Sequence, residues 1–143
     1  MIASALDAFT KMEMTHIIKL IEGPAAETMK NQLRGQFDII FIDADKPGYK
    51  NYLQIILDKR LLAKDGIIFT DNSMCLRYTL TLVLSRGLTV DDSEANPYHV
   101  EGGGRRVNAQ AMKEFNDYVA NEPRIEVVVL PLFDGMGLIR LKD

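Results

Sequence analysis

The chain has 143 residues, 47% of them hydrophobic, which suits one domain with its own core and excludes a disordered segment. Its formal net charge is -3 with no long basic run, so the footprint of nucleic-acid or acidic-membrane binding is missing. A single cysteine, Cys75, excludes an internal disulfide framework and any multi-cysteine metal site.

No apolar stretch reaches the roughly 20 residues of a membrane span, and the first residues lack the form of a signal peptide. A soluble cytoplasmic protein with small-molecule or protein partners is expected, without nucleic acid or membrane.

In chain order, "SALDAFTKMEM" places Ala5, Leu6, Phe9 and Met12 at three- and four-residue steps and predicts an amphipathic helix. "HIIKLIEG", His16 to Gly23, predicts a short strand closed by Gly-Pro, and Pro24 opens a helix over "PAAETMKNQL". His16 then has a structural place at the start of that strand.

"GQFDIIFIDA" has five apolar residues among the six from Phe37 to Ile42, the pattern of a strand buried on both faces. Tyr49, Tyr52, Leu53 and Ile56 mark a helix after Pro47-Gly48, and "KDGIIFTDN", Lys64 to Asn72, predicts a second buried strand. Strand, helix and strand make a βαβ unit with a right-handed crossover.

"YTLTLVLSRG" predicts a helix ending near Gly87, and the polar, glycine-rich "LTVDDSEANPYHVEGGGRRVN" predicts a long surface loop that includes His99. "AQAMKEFNDYVANEP" predicts another helix. "RIEVVVLP" and "GMGLIRLK", joined through Leu132 to Gly135, predict an antiparallel hairpin. There are no repeats. Residues 1–143 read as a single α/β domain whose sheet is mostly parallel, with a C-terminal antiparallel hairpin.

Ligands of open α/β sheets sit beyond the carboxyl ends of the strands, and two neighbouring strands here end in acid: "FIDAD" at Asp43 and Asp45, "FTDN" at Asp71 and Asn72. An aspartate after a strand is often only a helix cap or turn former, but the repetition of the pattern on adjacent strands favours a site. Two carboxylates and an amide oxygen form an all-oxygen donor set suited to a hard ion such as Mg2+. Lys46 by itself reads as a solvated surface lysine. Beside a divalent cation its ammonium pKa would fall, making it a usable base.

The blocks "FDIIFIDADKPGYKNYL", "GIIFTDNSM" and "EFNDYVANEPRIEVVVLPLFDGMGLIRLK" are together similar to the cation-dependent class I S-adenosylmethionine O-methyltransferases, to which caffeoyl-CoA and catechol O-methyltransferases belong. The resemblance covers nearly the whole chain and implies a Rossmann-like methyltransferase fold. It implies Asp43, Asp71 and Asn72 as metal ligands and Lys46 as general base. Asp45 matches an aspartate near the methyl donor and Tyr49 matches the tyrosine of the family's "DADKxNY", and the resemblance implies both as cofactor-binding residues. Gly48 stands where that pattern has asparagine. The implied reaction is transfer of the methyl group of S-adenosylmethionine to a catechol-like or other small phenolic hydroxyl, with Mg2+ lowering the hydroxyl pKa and Lys46 taking the proton.

The family's glycine-rich turn after its first strand, and the acidic residue ending its second, have no counterpart in this sequence. "EGGGRR", Glu101 to Arg106, follows a polar loop and not a strand, so it is no substitute. The expected architecture is therefore a partial, N-terminally truncated fold lacking the first two strands. That fold would leave the strand ending in Asp43 with an open apolar edge. A homodimer, with or without exchange of N-terminal segments, is the expected repair. Two functions follow from this sequence: the O-methyltransferase itself, or a catalytically inactive dimeric relative with a binding role.

Overall fold

The computed structural model describes residues 2–73, 104–130, 132 and 135–143. The predicted helix "YTLTLVLSRG", Cys75, His99 and residues 88–103 of the long polar stretch lie outside them. Two compact units divide the chain, Met1–Arg34 and Gly35–Asp143.

In the first unit, α1 spans Ile2–Lys11 and α2 spans Ala25–Asn31, with Pro24 preceding α2 as its cap residue. Helix α1 carries a Lys11–Asp7 ion pair of 2.7 Å one turn apart. Neither helix buries a residue. The strand expected over His16–Gly23 does not form: the segment runs through turns and unassigned backbone, and none of the sheet's pairings includes it. Its apolar residues favour an extended chain, but a strand exists only through a ladder to a neighbour, and this segment has none among the described residues.

In the second unit, β1 (Phe37–Ile42) leads through a single 3-10 turn (Lys46–Gly48) into α3 (Tyr49–Asp58) and then β2 (Leu62–Thr70). Helix α4 (Gly104–Asn121), β3 (Ile125–Leu130) and β4 (Met136–Leu141) complete it. Three expected boundaries shift. The long polar stretch gives its last five residues, Gly104 to Asn108, to α4. The first helix stops at Lys11, short of Met12. Strand β2 starts at Leu62, where the sequence suggested Lys64, and a register irregularity opposite Phe37–Ile39 takes up Lys64 to Gly66.

The sheet order is β1-β2-β4-β3: β1 and β2 are parallel, and β4 runs antiparallel to both β2 and β3. The βαβ unit and the C-terminal hairpin are thus both present. With no strand from His16–Gly23, one pairing of the three is parallel. No helix among the described residues is long and apolar enough to cross a membrane.

Strand alternation separates two faces. Ile42, Ile68, Thr70, Ile125 and Ile139 are buried, as are Tyr49, Leu53 and Ile56 of α3 and Met112, Phe115 and Val119 of α4. The Tyr49 and Phe115 rings meet edge to face with centroids 5.5 Å apart, a favourable quadrupole geometry between α3 and α4. The opposite face, followed through the register Phe41↔Phe69↔Leu138↔Val128, is open: Ile39 is 66%, Phe41 58% and Val128 60% exposed.

Candidate active site

The site is set by the register of the parallel pair. Ile42 lies opposite Thr70, and the Asp71 N–H donates to the Ile42 carbonyl oxygen at 3.1 Å, carrying the pairing one step past the strands. Asp43 and Asp71, the next residue on each strand, therefore emerge side by side at neighbouring carboxyl ends. Asn72 follows in the left-handed region (φ 59), a conformation asparagine tolerates better than most residues, and its N–H donates to Asp71 Oδ1 at 2.7 Å.

Lys46 opens the 3-10 turn, and Pro47 at its start fixes the backbone direction. Its ammonium donates to the Tyr49 hydroxyl at 2.6 Å and lies 3.3 Å from Asp43 Oδ1. The Tyr49 hydroxyl in turn donates to the Ile42 carbonyl at 3.1 Å. Burial pulls the Lys46 pKa down, but hydrogen bonds and charge interactions with Tyr49 and Asp43 more than offset it, so the net direction is upward. Lys46 rests as an ammonium. Tyr49 is fully buried with its hydroxyl held between Lys46 and Ile42, so its side chain presents no surface to a ligand in this arrangement.

Asp45 accepts a hydrogen bond from the Tyr52 hydroxyl, one turn further along α3 than Tyr49. That bond, with burial and the carboxylate charge behind it, pushes the Tyr52 pKa up to about 12.

The turn carrying Asp71 and Asn72 is anchored from below. Thr70 and Ser73 are both buried, and their hydroxyls lie 2.7 Å apart. Ser73 N–H donates to the Gly135 carbonyl at 2.9 Å, and Asn116 Nδ2 of α4 donates to the Ser73 carbonyl at 2.8 Å. A Cβ at Gly137 would run into Thr70 Oγ1 and stand 2.7 Å from Ser73 Oγ, so only glycine lets β4 pass this close.

All six residues singled out in the sequence, Asp43, Asp45, Lys46, Tyr49, Asp71 and Asn72, lie in the two segments that leave the carboxyl ends of β1 and β2. Among the described residues no group of three or more His, Cys, Asp or Glu side chains is formed to hold a metal ion. The oxygen donors among the residues singled out are Asp43, Asp71 and the Asn72 amide, and the Asp43 side chain is 53% exposed. Two carboxylates and an amide fit a hard, partly hydrated cation and not zinc. Sequence reasoning missed Tyr52, Thr70, Ser73, Asn116 and Gly137. Tyr52 read only as one more apolar position of α3, and the available signal was the glycine at 48.

A protein-family model described as O-methyltransferase matches residues 1–142. The O-methyltransferase ankF of Aspergillus thermomutatus is 36% identical over 99% of this chain, which spans 56% of its length. The probable caffeoyl-CoA O-methyltransferase 1 of Dictyostelium discoideum is 33% identical over 94% of the chain and is spanned over 51% of its own. Among solved structures, the SAH-bound Podospora anserina methyltransferase PaMTH1 superposes with a TM-score of 0.82 at 38% identity, over 99% of this chain and 56% of that one. The chain spans about half the length of the curated relatives it matches.

Proposed function

This chain belongs to the O-methyltransferase family, and from that premise we propose that it serves S-adenosylmethionine-dependent, divalent-cation-dependent methylation of a catechol-like or other small phenolic hydroxyl. The observation that supports this most is the pairing of Ile42 with Thr70, which sets Asp43 beside Asp71 with Lys46 3.3 Å from Asp43.

In this reading Asp43, Asp71 and Asn72 would hold Mg2+. The cation supplies positive charge that lowers the proton affinity of a neighbouring hydroxyl, and S-adenosylmethionine supplies the methyl group. Lys46, once its own ammonium proton has passed to water, would accept the hydroxyl proton at Nζ. As described it is an ammonium, and Asp43 is one of the groups that keep it so. A carboxylate committed to a cation no longer favours the lysine proton, so Asp43 couples metal binding to the basicity of Lys46. Tyr49 holds the Lys46 amine in place, and Asp45 faces the methyl donor.

Calorimetric titration of S-adenosylmethionine into the chain, with and without Mg2+, tests the reading. Heat that depends on Mg2+ and is lost in Asp71→Ala supports it. No heat at millimolar ligand in either condition overturns it for this chain.

A second copy of the chain is proposed to cover the open sheet face. In a twofold interface the same patch of both copies meets, so a patch with net unpaired charge would repel itself. The charges that the register puts on this face, Glu126 and Arg140, are paired with each other at 2.8 Å, which leaves Ile39, Phe41 and Val128 exposed as a neutral apolar surface.

A further inference from the structure

We infer that Tyr52 is the positioning residue for the Asp45 carboxylate, and that Gly48 is the residue that admits it. What Asp45 then serves, an acceptor for a donor group of S-adenosylmethionine, rests on the reading above.

Asp45 stands at the N-cap of the 3-10 turn in an extended conformation (φ -61, ψ 125), the usual geometry for an aspartate that caps the turn with its own carboxylate. It makes no such bond. Its carboxylate is taken instead by the hydroxyl of Tyr52, seven residues on, a residue only 9% exposed and one of the buried residues of α3. The turn is therefore not what orients Asp45; the helix behind it is. Tyr52 takes one acceptor position of Oδ1, which leaves Oδ2 and the second position of Oδ1 to a ligand.

Gly48 lies between the two partners. A Cβ there would stand 2.6 and 2.7 Å from Tyr52 ring carbons and 2.7 Å from Asp45 Oδ2. Real Cβ atoms do not come so close, and the movable groups are the ends of these two side chains. Any side chain at position 48 therefore drives Tyr52 and Asp45 apart. The glycine found where the related pattern carries asparagine is, on this account, a compensated change: the space an asparagine would fill is filled by the Tyr52 ring.

The same turn shows a division of labour along α3. Tyr49 receives Lys46 and Tyr52 holds Asp45, so adjacent charged residues of opposite sign are fixed by adjacent tyrosines of one helix face and not by one another.

The test uses the full chain with Mg2+ and S-adenosylhomocysteine as the probe. Tyr52→Phe and Gly48→Ala should each weaken its binding about tenfold, the worth of one hydrogen bond to a charged group, and the double variant should be no weaker than the worse single one. Mg2+ affinity should not change, which separates positioning of Asp45 from general damage to the strand ends. Unaltered affinity in Tyr52→Phe, or independent tenfold losses that multiply in the double variant, overturns the inference. A thermal-denaturation cycle of Tyr52→Phe, Asp45→Ala and the pair reads the contact without ligand: non-additive Tm losses are expected, and additive losses overturn it. Should the parent chain bind no S-adenosylhomocysteine, the methyltransferase reading fails and the thermal cycle alone decides the Tyr52–Asp45 contact.

Discussion

The Lys46 ammonium sits 2.6 Å from the Tyr49 hydroxyl, and that hydroxyl reaches the backbone of the preceding strand at Ile42. A chain of two hydrogen bonds thus ties the proposed base to β1. Tyr49→Phe keeps the ring and its contact with Phe115 but cuts both bonds. It should cost about 1 kcal/mol of stability in urea denaturation and lower kcat for phenol methylation by roughly tenfold. Unchanged kcat in a stably folded variant would remove Tyr49 from the positioning of Lys46.

A second prediction concerns acid stability. Glu122, at the turn from α4 to β3, accepts from Arg124 Nε at 2.8 Å and from the Tyr118 hydroxyl at 2.7 Å. Arg124 also reaches Asp58 of α3 at 2.8 Å. The hydrogen bond from Arg124, then that from Tyr118, lowers the Glu122 pKa from 4.5 to about 2. A depressed carboxylate gives stability that is full above its unfolded pKa and disappears as pH falls through the folded one. The Tm should therefore decline between about pH 4.5 and pH 2. Glu122→Gln should flatten that part of the curve and lower the Tm at pH 7. An identical pH slope in both proteins would rule out this clamp as its source.

Gly137→Ala should be destabilising by about 1–3 kcal/mol, because its Cβ meets the buried Thr70 and Ser73 hydroxyls rather than a flexible side-chain end. Displacing that pair shifts the turn bearing Asp71 and Asn72, so Mg2+ affinity should fall with stability. Guanidinium unfolding and Mg2+ titration on the same sample check both, and a neutral effect on either would show that β4 has room here.

Light scattering at micromolar concentration should give twice the chain's 16.1 kDa. Ile39→Lys places an unpaired charge within the apolar face that the second copy would bury and should return the mass to that of one chain. A parent chain that is already monomeric counts against the second-copy proposal.

Much of this architecture was legible because it is local. The apolar run Phe37–Ile42 is β1 to the residue, and the spacing of Tyr49, Tyr52, Leu53 and Ile56 gave α3 its buried face. "HIIKLIEG" had the right composition for a strand, but composition does not supply a neighbour, and strand formation is decided by pairing. The start of α4 at Gly104 was hidden because glycine and polar residues argue locally for a loop. The acid-ended strands could be recognised from sequence because the charged residues follow directly on apolar runs. Tyr52 on Asp45 could not, since the contact depends on how a 3-10 turn folds the chain back and on an atom that Gly48 does not have.

The hydrogen bond from Asn116 to the Ser73 carbonyl joins residues 43 apart in sequence. It fastens the point where the chain leaves β2 to the middle of α4, where it has already come back. The contact takes the backbone carbonyl of Ser73, so it holds that turn through the main chain. The strand end that carries Asp71 and Asn72 is thereby braced by a helix that arrives much later in the chain, and a substitution at Asn116 would loosen it from a distance.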